Sequence, residues 1–174
     1  MRNKVNTDAI YGFEENIFNN LSTSQITESV SGSWNFENEV CQFKSHVSSE
    51  YGNAIMQADT RTLLGGYGVQ PSPIQYILFG IAAGFTNTMV SKAAINDYNI
   101  ENINVKIIAL TNYDKFFSIE DRSPVEQLKI IVDIKTEEKE EQINKLKEDV
   151  FDCCPTLFLI RNLDLDIVIN IQRP

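Results

Sequence analysis

"GGYGVQPSPIQYILFGIAAGFTNTMV", residues Gly65 to Val90, decides the fold. A glycine-rich turn and the step Pro71-Ser72-Pro73 open a long apolar run, with Ser72 placed to cap a helix and Pro73 at its first position. Ile74, Ile77, Leu78, Ile81, Phe85 and Met89 recur at helical spacing along one side, and Tyr76, Gly80, Ala83, Gly84 and Asn87 hold the other. Apolar or small nearly all round, the segment predicts a helix over 72–97 that is buried on both sides. Gly80 and Gly84 stand one turn apart inside it, and each costs roughly 1 kcal/mol relative to alanine there. A second helix crossing closely over that face would return the cost through packing.

Upstream, Thr7 is placed to cap a first helix whose stripe is Ile10, Phe13, Ile17 and Leu21, so residues 1–25 read as a helical extension. Residues 26–59 change to short alternating runs separated by turn residues: Trp34 and Phe36 on one strand, Cys41 and Phe43 on the next, then "AIMQAD". That pattern predicts a three-stranded meander. Downstream, Ile103–Leu110 and Gln127–Lys135 read as strands, with a long loop between them that is a candidate for function. A second long helix starts near Glu138, turns Ile143, Leu146 and Val150 inward, and breaks at Cys154-Pro155. Leu163, Leu165, Ile167, Ile169 and Ile171 alternate as a last strand. The order αβββαββαβ predicts one α+β domain over 1–174, helices on antiparallel sheet, with 103–174 supplying the later strands and second long helix.

Composition narrows the function classes. A net charge of −9 over 174 residues makes nucleic acid and anionic membrane unsuitable partners. The run Ile74–Val90 is short for a membrane span and carries Gln75, Thr86, Asn87 and Thr88. The opening residues lack a secretory pattern, and Cys41, Cys153 and Cys154 are an odd set, so a reducing compartment, the cytoplasm, is expected. His46 is the only histidine, which leaves no multi-histidine metal site and little for a serine triad. No metal and no cofactor are expected, and no phosphate-binding fingerprint occurs.

The Pro-Ser-Pro helix, the turn "LLGGYGVQ" before it, the strand "NINVKI" after it and the segment "LKIIVDIKTEEKEEQINKLKEDVFDCCP" together resemble the OsmC/Ohr family, the osmotically inducible and organic hydroperoxide resistance proteins. The helical extension resembles one found in an OsmC-like branch. The resemblance implies an intertwined homodimer with active sites at the subunit interface. It also implies thiol peroxidase chemistry, in which a cysteine of the central helix attacks peroxide and a second, before a proline of the later helix, resolves the sulfenic acid as a disulfide.

Carried onto this chain, the second position falls on Cys154, before Pro155, and the first falls on Gly84, within Ala82-Ala83-Gly84-Phe85. The nucleophile is missing. The family's glutamate ten residues earlier is Ile74 here, and no arginine lies between Ser29 and Ala58, where relatives keep one. The departures predict an OsmC-like homodimer that is not an active peroxidase and holds a small apolar or amphipathic molecule beside the vacated position, or is a structural relic. Gln75, Tyr76, Phe85 and Asn87 flank that position and are the candidate pocket residues. The alternative is a hydroperoxide reductase that has moved its chemistry to Cys154, Cys153 or Cys41. Cys154 itself reads either as a redox thiol or as a small apolar residue kept from an ancestral pattern.

Overall fold

The computed structural model describes residues 2–37 and 41–162. The alternating run Leu163–Ile171, read as a last strand, and part of the turn before Cys41 lie outside the described residues. Eleven elements follow in order, among them four helices and five strands among the described residues. The fold is α+β with antiparallel sheet, as the sequence pattern predicts.

The chain divides into two compact units, described in turn. The first takes in Asn6–Gly80 and Ile107–Lys129. Helix α1 (Thr7–Asn19) begins one residue earlier than expected: Asn6, not Thr7, caps it, its side-chain oxygen accepting from the Ala9 amide at 3.3 Å. None of its residues is buried, and Phe18 is 79% exposed. Strands β1 (Ser31–Trp34), β2 (Phe43–Ser49) and β3 (Gly52–Ala58) form the predicted meander, all antiparallel. The register pairs Trp34 with Phe43 and Phe43 with Ala58. Phe36, expected to share β1 with Trp34, lies beyond the strand and is exposed, because β1 ends at Trp34. Cys41 precedes β2 and is buried.

Helix α2 (Pro73–Ile95) starts as the proline step dictates. The Ser72 amide donates to Gln75 Oε1 at 2.8 Å while the Gln75 amide reaches Ser72 Oγ at 3.4 Å, a reciprocal cap built from the motif itself. The Tyr76 hydroxyl donates to the Gln57 carbonyl at 2.7 Å and ties the first turn of α2 to β3. In this part of the helix Ile77 and Phe79 remain exposed, so the expectation of burial on both sides is not met within the single chain.

The second unit takes in Arg2–Val5, Ile81–Lys106 and the chain from Ile130. Here α2 buries Ile81, Phe85, Met89, Ala93 and Ala94. Strands β4 (Ile100–Thr111) and β5 (Val125–Thr136) pair into a two-stranded sheet, each longer than its apolar alternation suggests. Helix α3 (Glu140–Cys153) buries Leu146 and Val150, and α4 (Pro155–Asn162) buries Leu157. Burying Met89, Leu146 and Val150 contributes about 1.5–3 kcal/mol each. Helix α4 has no counterpart in the sequence reading, where the α3 break was followed only by a strand. Asp97, at φ 65°, ends α2 in a left-handed turn. The N-terminal segment straps that turn: Asn3 donates to the Tyr98 carbonyl at 3.0 Å and accepts from the Ile100 amide at 3.1 Å, and Arg2 pairs with Asp97 at 2.7 Å.

Candidate functional site

Two places collect the residues that bear on function, one in each unit. In the second unit, Gly84 meets the start of α4. A Cβ built on Gly84 overlaps Thr156 Oγ1 and Cγ2 and stands 2.9 Å from Thr156 Cβ. The glycine therefore answers a close approach, as its helical cost requires. The approach is made by one threonine side chain at a helix start rather than by a long helix crossing. Gly80 is different: a Cβ there finds nothing within 4 Å among the described residues, so no described element explains its place in the helix.

Cys154 joins α3 to α4 beside this contact. Its amide closes α3 by donating to the Val150 carbonyl at 3.0 Å, and its carbonyl accepts the Phe158 amide at 3.0 Å to open α4. The side chain is fully buried. Its sulfur lies 3.1 Å from Thr156 Oγ1, and Thr88, whose hydroxyl also donates to the Gly84 carbonyl at 2.9 Å, reaches it as well. Burial pushes the thiol up. The Thr156 and Thr88 hydroxyls and the Leu157 and Thr156 amides pull it down, and the balance leaves it below the ordinary 9.0. On the Gly84 side the space is taken by the Thr156 side chain. Cys153 is exposed, and all three cysteines are free.

In the first unit, a cavity of about 620 Å³ opens beside the N-terminus of α2. Leu64, Ile74, Leu78, Phe116 and Phe117 give it apolar walls, and Gln75 and Tyr113 add polar edges. Among the described residues its single charged wall residue is Arg61, three residues beyond Ala58. The loop carrying Arg61 is fixed from below by Asp59, which is 2% exposed. One Asp59 oxygen accepts the Thr60 and Tyr67 amides at 2.9 and 3.3 Å, and the other accepts Val69 at 3.1 Å. Gly65 and Gly68, at φ 86° and 67°, let the chain curl round that carboxylate. On the far wall, Phe116 and Phe117 meet edge to face at 4.9 Å. The loop behind them is held by Lys115–Asp121 at 2.6 Å and Arg122–Glu120 at 2.7 Å. A second groove, about 420 Å³ and almost wholly apolar, lies over β1–β3 and includes Trp34, Phe43, Met56 and Tyr76.

The sequence candidates are thus distributed. Gln75 lines the Arg61 cavity, Tyr76 lines the sheet groove, Phe85 is core and Asn87 is exposed. The four share no cavity among the described residues. Gly84 and Cys154 do come together, through Thr156 and Thr88. Those two threonines, Arg61 and Asp59 were missed. Arg61 was within reach, lying just past the strand in which an arginine was sought. Thr156 was not: Pro155 was read as the break of α3, although it also stands at the first position of α4.

No helix among the described residues is long and apolar enough to cross a membrane. No curated protein sequence is similar enough to match the chain. Among solved structures, an OsmC-like protein of Mycoplasma pneumoniae superposes with a TM-score of 0.59 at 13% identity, over 80% of this chain and 90% of that one. An osmotic stress induced and detoxification response protein of Psychrobacter arcticus gives 0.59 at 14%, over 79% and 91%. The organic hydroperoxide resistance protein OsmC of Legionella pneumophila gives 0.52 at 17%, over 79% and 93%. At such identities these likenesses speak for the fold alone. The OsmC-like protein profile matches residues 66–168, more than half of the chain, and the chain belongs to that family, which is linked to peroxide and stress resistance.

Proposed function

We propose that this chain is an OsmC-like homodimer that does not run the family's two-thiol peroxidase cycle and instead holds a small molecule in the cavity beside α2. The observation that carries the reading is the contact at Gly84. The attacking thiol is absent, and Thr156 fills the space its side chain would need. The carboxylate position is Ile74, a cavity wall. A volume of about 620 Å³ lies within the range of about 300–1,000 Å³ usual for small-molecule sites.

Dimerisation is supported by large apolar side chains that a lone chain leaves in water: Leu63, Tyr67, Val69, Ile77 and Phe79 are each more than half exposed. Gly80 has open space beside it and still pays a helix penalty, which a close-packed partner helix would offset. Three free cysteines suit a reducing cytoplasm.

A second reading keeps thiol chemistry and moves it to Cys154. The polar groups around Cys154 and the lowered thiol favour it. Complete burial opposes it, since a peroxide must touch the sulfur it oxidises. The test is exposure of the native protein to cumene hydroperoxide, trapping of sulfenic acid with a dimedone probe, and mass spectrometry of each cysteine peptide. Our reading expects Cys154 to remain a thiol; a stoichiometric adduct or disulfide at Cys154 would establish the second reading.

A further inference from the structure

We infer that the cavity beside α2 selects an anionic amphipath, a carboxylate on a short hydrocarbon tail, with Arg61 as the partner of the head group. This rests on the small-molecule reading above and names the class of ligand. The protein carries 24 acidic and 15 basic residues, yet among the described residues the cavity wall holds one cation and no carboxylate. Arg61 has no ion-pair partner within 4 Å among the described residues. The acid nearest to it in sequence, Asp59, is buried and spends both oxygens on the amides of Thr60, Tyr67 and Val69. Arg61 therefore lines the cavity with no ion-pair partner among the described residues, on a loop whose amides Asp59 holds.

The loop does not need that side chain. The Arg61 carbonyl accepts the Leu64 amide at 2.9 Å and the Gly66 amide at 3.2 Å, so the turn is held by backbone. An anion at Arg61 also lies beside the first turn of a 23-residue helix, whose N-terminal end favours negative charge. The tail has Leu64, Leu78 and Phe116 to lie against. A planar, permanently charged fork of donors is matched to a carboxylate, and surrounding apolar walls strengthen the pairing.

The experiment is isothermal titration of the full chain with decanoate and with decanol, both below their aggregation limits, using wild type, Arg61→Gln and Leu78→Trp. Circular dichroism and thermal unfolding confirm that each variant is folded. The expected result is decanoate binding that Arg61→Gln weakens about tenfold or more, with decanol weaker and indifferent to Arg61, and both lost in Leu78→Trp. Equal binding of the two ligands, unchanged by Arg61→Gln, overturns the anion inference and leaves the small-molecule reading standing. Decanoate binding that survives Leu78→Trp overturns the placement in this cavity. No binding of either ligand to folded wild type overturns the inference and the reading it rests on together.

Discussion

Replacing Gly84 with alanine separates two opposed physical effects. Helix propensity alone favours alanine by about 1 kcal/mol in a helix interior. Against it, the new methyl meets three atoms of Thr156 at once. Two of them, Oγ1 and Cγ2, move with side-chain rotation, but Thr156 Cβ, at 2.9 Å, moves only with the α4 backbone. Overpacking of that kind costs about 1–3 kcal/mol. The balance is a net destabilisation of roughly 1 kcal/mol, opposite in sign to the propensity change. The assay is urea unfolding followed by circular dichroism for wild type, Gly84→Ala, Thr156→Ala and the double variant. Thr156→Ala removes the two mobile contacts, so the cycle should show a favourable coupling of about 1 kcal/mol. If Gly84→Ala stabilises by the full propensity gain, with no coupling to position 156, the reasoning is wrong and Gly84 needs another explanation.

Three further outcomes follow from the same structure. Asp59→Ala leaves the Tyr67 and Val69 amides without their acceptor, while the Thr60 amide keeps Gln42 Oε1 at 3.0 Å, so stability should fall by about 2 kcal/mol in denaturant unfolding, and ligand binding at the cavity should fall with it. A lowered Cys154 thiol means that, between its folded and unfolded values, the unfolded chain binds more protons. Stability should therefore rise with pH through that window and be lost as pH falls through the folded value. Unfolding midpoints across the neutral to alkaline range check this, and the pH-dependent contribution should vanish in Cys154→Ser. Phe79 is 69% exposed in the single chain, so Phe79→Glu should leave the fold intact and shift sedimentation from dimer to monomer; an unchanged sedimentation profile would contradict the placement of the dimer contact.

The central helix and the meander were legible because their signals are local. Pro73 and Ser72 mark a helix start by stereochemistry, and the alternation around Phe43 marks a strand by period. The edges were less legible: Asn6 rather than Thr7 caps α1, a choice between neighbouring capping residues that sequence does not arbitrate. Helix α4 was missed because eight residues after a proline carry too little periodicity to register. For the site, the family resemblance singled out Gly84 and Cys154, and in the structure Thr156 touches both positions. It placed Gln75, Tyr76, Phe85 and Asn87 around one pocket by helical proximity, and the structure distributes them among a cavity, a groove, the core and the surface. Adjacent helix positions differ by about 100° in direction, so nearness along the chain does not mean facing one cavity. Arg61 and Asp59 act through loop geometry, which has no period to read.

The account turns on the claim that the thiol cycle is closed at Gly84, and stopped-flow consumption of cumene hydroperoxide and hydrogen peroxide tests it most directly. The assay uses a dithiol reductant with wild type and Cys154→Ser. The account predicts that both proteins match the rate of the reductant alone. Turnover above that rate in wild type, abolished by Cys154→Ser, would contradict it and place the chemistry on the buried thiol.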